Sequence, residues 1–516
     1  MKTFAIRAFV TLFIWFTCSS TFADSERYVS LISDLHVGAG RDSNGDWKRT
    51  EDFRWQDDFN QFLDFISKRS KDQSDLVLVG DVFELWQSPT MKCSNDISKP
   101  GCDVPDCNES DTQIGCSEPE ARARLDYTLK QHSDFVDAMR RFVDRGSNRV
   151  YFIPGNHDAA LLFPEVRQLL LSNFDGLRVQ VLDQGYWLSL DGQIYSDHGH
   201  QFDDVNTFDK WPQPFIQRNG VTYMRKPWGE NMVQQFYNQY EEIFPIIDNL
   251  ADEKAGVVFA VKQVGFQKSQ TAVGKFLRFF LFQQSLRQAF VALGKDGSVD
   301  WDFASVRSKP TAFFLEALGG DLELAAMASD AQKSGDLQLD PANLTDDELR
   351  AICAAKDNLP GSEKCLRRSD TLSAAVKGAL ISDDQRRAAY LRAVLPMVAI
   401  KDDNLASVYV YGHTHSSKAP TKLSLGEMKY GSVGVTYVNT GAFQRVASPA
   451  QISAILAGPK KDQAKSPLDL QPEDLPACYN YVWFEPYKGK PVPQLLRWAK
   501  GMDAKFTSST GTCLSL

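Results

Sequence analysis

Short apolar runs punctuate the first part of the chain, and each stops at a cluster of polar residues. The run Tyr28–Ile32 (YVSLI) leads into Ser33-Asp34-Leu35-His36. Leu76–Val79 is apolar at every position, as a strand covered on both faces must be, and it ends in Gly80-Asp81. Arg149–Ile153 ends in Pro154-Gly155-Asn156-His157-Asp158. Strands are expected next at 178–183, 186–190 and 193–196, the last running into Asp197-His198-Gly199-His200. Far downstream, Ser407–Tyr411 leads into Gly412-His413-Thr414-His415, and Val435–Asn439 forms another strand. Helical patterns fill the intervals at 59–68 and about 121–145. Strand, polar strand end, helix, strand is the α/β pattern, in which carboxyl ends of strands gather their polar residues into one crevice.

From about 215 to 400 the pattern turns mostly helical, with capping boxes at Thr345/Glu348 and Ser382/Gln385. The expected organisation is a first core segment at 24–215, a helical insertion or lid at 216–400, a second core segment at 401–450 and a C-terminal extension at 451–516. Within the first segment, 88–119 is polar and contains Cys and Pro, which marks an inserted loop. Within the insertion, 254–295 carries seven Lys and Arg and no acidic residue, around the aromatic run Phe276–Phe282. Two readings stand: a buried helix whose Lys and Arg stems reach outward, or a lid that contacts a membrane surface or a phosphorylated or lipid substrate.

The N-terminus reads as an export signal. Lys2 and Arg7 precede the apolar run 8–16, and Thr21-Phe22-Ala23 offers small residues for cleavage after Ala23. The apolar run is too short to span a bilayer comfortably. Residues 1–23 are therefore expected to be removed, and the protein to be periplasmic or secreted. Eight cysteines follow: Cys93, Cys102, Cys107, Cys116, Cys353, Cys365, Cys478 and Cys513. In an oxidising compartment they read as four disulfides whose pairing within the first cluster stays open.

Composition narrows the picture further. The 516 residues are 43% hydrophobic and 24% charged, enough for a large core, and the net charge of −9 argues against a nucleic-acid polymer as partner. Six of the seven histidines (His36, His157, His198, His200, His413 and His415) lie at strand ends beside Asp34, Asp81 and Asn156, and His132 alone falls in an expected helix. Imidazoles, carboxylates and an amide without cysteine suit Mn²⁺, Fe or Zn²⁺. The candidates exceed one four-coordinate site, and two ions sharing a carboxylate would use them all, an arrangement suited to activating water for attack on phosphorus.

Taken in order, Asp34-x-His36, Gly80-Asp81, Gly155-Asn156-His157-Asp158, His198-Gly199-His200 and Gly412-His413-x-His415 resemble the five-block signature of the calcineurin-like metallophosphoesterases. The resemblance covers roughly 27–215 and 400–450. It implies a four-layer α/β/β/α sandwich with an inserted helical subdomain, and a hydrolase that uses two divalent metal ions, Mn first with Fe or Zn as alternatives. It implies that Asp34, His36 and His415 hold one ion, Asn156, His198 and His413 the other, and Asp81 both. His157 would sit beside the phosphate and protonate the leaving oxygen or stabilise the transition state, oriented by Asp158, and His200 would face substrate or support the ligands. Gly80–Trp86, His198–Asp203 and Tyr437–Gly441 further resemble the branch of the UDP-2,3-diacylglucosamine hydrolases. Monoester, diester and pyrophosphate all remain open as the bond cleaved. The competing reading is a metal-binding scaffold or membrane-surface recognition protein on the same fold.

Overall fold

The computed structural model describes residues 27–87, 114–249, 383–458 and 469–505 with a few short gaps, and small pieces at 92–93, 104–105 and 326–333. The expected leader, most of the Cys-rich loop, the basic stretch 254–295 and both capping boxes fall outside the described residues, and so does the disulfide pairing.

The fold is mixed α/β with two large sheets. In the first, Tyr28–Ile32, Ser74–Val79, Arg149–Ile153 and Val179–Val181 run parallel in that order. The second has Val408–Tyr411 at its centre, parallel to both Gly431–Asn439 and Ile194–Asp197, with Lys418–Met428 and Tyr186–Leu188 antiparallel at its edges.

Strand side chains alternate between faces, and the apolar clusters follow that period of two. Val29, Leu31, Val77, Val79 and Ile153 of the first sheet share one cluster with Ile194, Val408, Val410 and Val438 of the second. Their alternates Leu76, Leu78, Val150 and Phe152 instead join Phe59, Phe62 and Ile66 of the helix Gln56–Arg69 and Phe135, Met139 and Phe142 of the helix Ser133–Asp144. The all-apolar run at 76–79 is thereby explained, since the strand is covered on both sides. The other face of the second sheet is rich in tyrosine: Tyr195, Tyr409, Tyr411 and Tyr437 pack with Leu391 and Leu395 of the helix Asp383–Val398. Among the described residues no helix is long and apolar enough to cross a membrane.

One expectation needs correction, and two segments gain detail. The single helix at 121–145 is two, Glu118–Gln131 and Ser133–Asp144, broken at His132. His132 is pinned there between Glu51 Oε2 at 3.2 Å and Gln56 Nε2 at 2.9 Å, so it is a packed core histidine. The segment after 215 opens as a hairpin, Phe215–Arg218 with Val221–Arg225, and the second strand pairs with Ile114–Ser117. Its turn is Asn219-Gly220, both at positive φ, the two-residue signal that matches the twist of paired strands. Within 451–516, further strands join the first sheet. Ala477–Phe484 pairs antiparallel with Tyr28–Ile32, placing Val29 opposite Phe484, and Gln494–Ala499 extends the sheet beyond it.

Candidate metal centre

The polar blocks meet where the two sheets adjoin. Asp34 and His36 follow the strand Tyr28–Ile32, Asp81 follows Ser74–Val79, and Asn156 and His157 follow Arg149–Ile153. From the second sheet come His198 after Ile194–Asp197, and His413 and His415 after Val408–Tyr411. Backbone bonds fix the turns to one another: the N–H groups of Leu35 and His36 donate to Asp81 O at 2.9 and 3.0 Å, and Gly412 N–H donates to His198 O at 3.2 Å. Asp34, His36, Asp81, His413 and His415 all adopt positive φ, between 48° and 74°. This conformation is costly for residues with a Cβ, and it persists where the surroundings over-determine it and function needs the side chain so aimed. The adjoining glycine at 155 is required by close approach: a Cβ there would lie 2.2 Å from Asp81 Oδ1 and 2.5 Å from the backbone N of Asp81.

Three groups of side chains are close enough to hold a metal ion: Asp34, His36 and His415; Asp81, His198 and His413; and His36, Glu84 and His157. In the first, His36 Nε2 and His415 Nε2 stand 3.2 Å apart, with Asp34 Oδ1 3.7 Å from the latter. Asp34 Oδ1 is buried without a hydrogen-bond partner. Three lone pairs thus converge on a buried point. In the second, His198 Nε2 is 2.9 Å from Asp81 Oδ2 and 3.0 Å from Asn156 Oδ1, while His198 Nδ1 donates to Val79 O at 2.7 Å. That bond selects the tautomer whose Nε2 lone pair faces the carboxylate. The third group closes on itself, because Glu84 Oε2 takes both imidazoles, His36 Nδ1 at 2.9 Å and His157 Nδ1 at 2.5 Å.

The electrostatics also call for cations. Burial pushes the His36 imidazole down, but the hydrogen bond and charge of Glu84, with Asp81 and Asp34, outweigh it and raise His36 to about 10. Burial likewise opposes the rise of His198, which Asp81 and Asp34 carry to about 9. Burial raises Asp34, whereas Asp81 lies well below the usual carboxylate range because His198 and His157 overcome its burial. His415 goes the other way, pushed down by burial and by His36. Three buried carboxylates (Asp34, Asp81 and Glu84) therefore draw protons onto the surrounding imidazoles. Divalent cations bound at the same oxygen and nitrogen lone pairs meet that demand directly. The donor set fits.

His157 is the most open of these histidines, its side chain 15% exposed. Its ring lies on Trp86, with centroids 4.0 Å apart. Glu84, and not Asp158, orients it. Asp158 is turned away into the backbone, accepting from Gly155 N at 2.6 Å, Val82 N at 2.8 Å and Phe83 N at 3.3 Å. Its carboxylate closes the two turns that carry Asp81 and Asn156, and burial with the Asp81 charge lifts it to about 6. The sequence-based expectation that Asp158 positions His157 is thus corrected. Glu84 is the residue that sequence reasoning missed, although its place three residues after Asp81 puts it on the same turn. Its other oxygen accepts from Trp86 N and Gln87 N, and burial notwithstanding, His157 and His36 hold it down at about 2. His200 does not join any of the groups. It is buried against Trp211, with ring centroids 4.3 Å apart, and its Nδ1 has no hydrogen-bond partner.

Comparison with known proteins agrees with this geometry. The family model of the calcineurin-like phosphoesterases matches residues 29–241, a span that holds four of the five blocks. No curated protein and no solved structure matched the chain. Residues 29–241 thus match a calcineurin-like phosphoesterase domain, a match that indicates a phosphate ester hydrolase, and the side-chain clusters suit divalent metal. The fifth block, His413 and His415, lies beyond the matched span and is brought to the site by the second sheet.

Proposed function

We propose that this protein is an exported, dinuclear metal-dependent phosphoesterase that cleaves a phosphate ester or pyrophosphate by attack of an activated water. The observation that carries the reading is the side-by-side placement of Asp34–His36–His415 and Asp81–His198–His413, tied together by the Asp34 carboxylate accepting the His413 N–H at 3.1 Å. Asp34, His36 and His415 would hold one ion, and Asn156, His198 and His413 the other, with Asp81 between them. Mn²⁺ is the first choice for this donor set, with Fe and Zn²⁺ next. Such ions supply Lewis-acid charge at the phosphoryl oxygens and lower the pKa of the attacking water. The chain does the rest: His157, protonated and braced by Glu84, donates a proton from Nε2 to the departing oxygen. Burial opposes its charged form, but Glu84 and Asp81 raise its pKa, which suits that role.

The substrate we favour is lipid-linked or nucleotide-bearing. Gly80–Trp86 and His198–Asp203 support a place near the UDP-2,3-diacylglucosamine hydrolases, and the basic, aromatic 254–295 would suit a lid over such a substrate or a membrane-surface contact. Export rests on Lys2, Arg7 and the small residues before Asp24, and the even count of later cysteines accords with disulfides. The test is hydrolysis of a chromogenic phosphodiester beside the matching monoester by the purified protein with Mn²⁺. A large rate ratio chooses the bond class. Absence of turnover on esters and pyrophosphates alike, with two ions bound, would sink the catalytic reading in favour of a metal-binding scaffold.

A further inference from the structure

Asp203 stands outside all three metal-capable groups, yet it touches one of their members. Its Oδ2 lies 2.9 Å from His413 Nε2, a contact across 210 positions of sequence. The carboxylate is itself held: the same oxygen accepts from Asn206 Nδ2 at 2.8 Å, and the Asp203 carbonyl accepts from Asn206 N and Thr207 N at 3.2 and 2.9 Å. The preceding Phe202 packs edge-on against Tyr411, the last residue of the strand that delivers His413, with ring centroids 5.0 Å apart. His413 itself sits at φ 74°.

We propose that Asp203 is a positioning residue for metal binding: it takes the Nε2–H of His413, fixes the tautomer, and leaves Nδ1 as the nitrogen free to serve an ion shared with Asp81 and His198. The inference rests on the two-ion reading above. A carboxylate on the far nitrogen of a ligating histidine does two physical things. It locks the ring plane, so less rotational freedom is lost when the ion binds, and its negative charge makes the remaining lone pair more basic. Removing such a partner typically weakens metal affinity by roughly 10- to 100-fold. Asp203 also belongs to the segment that carries His198, so a single turn would supply one ligand and orient another.

The test is Mn²⁺ titration by calorimetry of the full chain and of Asp203→Ala, Asp203→Asn and Asn206→Ala, with His415→Ala and His413→Ala as markers for the two groups. Asp203→Ala is expected to weaken one binding event by roughly 10- to 100-fold, the event that His413→Ala abolishes, and to leave the other unchanged. Asp203→Asn, which keeps an oxygen to accept the imidazole N–H, should fall between. If Asp203→Ala does not fold, the same comparison is made with Asp203→Asn alone. Two binding events in the parent protein and unchanged affinities in the Asp203 variants would overturn the proposal while sparing the two-ion reading. An equal loss in Asn206→Ala would also overturn it, by tracing the effect to the loop. Fewer than two events in the parent protein would instead bring down the two-ion reading, and this inference with it.

Discussion

Replacing Glu84 by Gln is the sharpest test of how the site handles protons. Glu84 holds both sides of the turn: one oxygen accepts the N–H groups of Trp86 and Gln87 at 2.9 and 3.0 Å, and the other takes Nδ1 of His36 at 2.9 Å and of His157 at 2.5 Å. A glutamine can keep its amide oxygen on the two backbone donors. Its NH₂ then faces two ring nitrogens, and His157 must surrender the Nδ1 proton to avoid a clash of donors. A charge-assisted hydrogen bond is worth about 1.5–3 kcal/mol, so kcat should fall roughly 10- to 150-fold at saturating metal. Glu84 raises the pKa of His157 in the parent protein against the effect of burial, so the variant holds the imidazolium less tightly and the alkaline limb of the kcat profile moves to lower pH. The assay is kcat against pH for a series of phosphate esters from p-nitrophenol to an aliphatic alcohol, with metal content measured on each sample because His36 shares the same carboxylate. The loss should grow as the leaving group becomes more basic, since poor leaving groups need the proton most. An equal loss across the series, or an alkaline limb that stays in place, would refute the assignment of His157 as acid and Glu84 as its brace.

Three further outcomes are expected. In metal-free protein, the depressed pKa of Glu84 contributes stability that is complete above its ordinary 4.5 and lost as pH falls toward about 2, while the raised pKa of His36 contributes stability complete below 6.5 and lost as pH rises toward about 10. Chelator-treated protein should therefore melt highest between these ordinary values, and Mn²⁺ should flatten the alkaline decline; a metal-free melting temperature that climbs steadily from pH 7 to 10 would contradict this. Gly155→Ala forces a methyl group to within 2.2 Å of Asp81 Oδ1 and 2.5 Å of its backbone N, so it should cost about 1–3 kcal/mol and weaken Mn²⁺ binding, both readable by calorimetry. Asp197→Ala strips the acceptor from the hydroxyls of Tyr195, Tyr409 and Tyr390, which donate to it at 2.9, 2.7 and 3.0 Å. Urea unfolding should then show a loss of about 3 kcal/mol or more, against about 1 kcal/mol for Tyr390→Phe.

Much of the centre was legible in advance because its ligands sit one to four residues past a strand. An all-apolar run such as Leu76–Val79 announces a buried strand, and a Gly-Asp immediately after it can only lie at the strand's end. Five such ends, each bearing Asp, Asn or His, point to one crevice at the carboxyl ends of strands, so Asp34, His36, Asp81, Asn156, His198, His413 and His415 could be grouped from the sequence, although the strands prove to belong to two sheets. His132 could be set apart for the same reason, since the pattern places it among helical residues and away from every strand end, and it proves to join two helices.

What the chain order could not disclose is which side chains meet once those ends converge. Asp158 and Glu84 both neighbour the site in sequence and both are buried acids. Only the path of the backbone turns one toward three amide N–H groups and the other toward two imidazoles. Asp203 met His413 by the same kind of tertiary accident of position. The C-terminal strands are a further case. Ala477–Phe484 is apolar or aromatic at every position but Asn480, a pattern that any covered strand could carry, and it is the edge of Tyr28–Ile32 that pairs with it. Local pattern specifies strands, their covered faces and the residues at their ends, because those depend on neighbours along the chain. Partner choice between buried acids and imidazoles depends on distances of about 3 Å between residues far apart in sequence, and only the packed fold sets those.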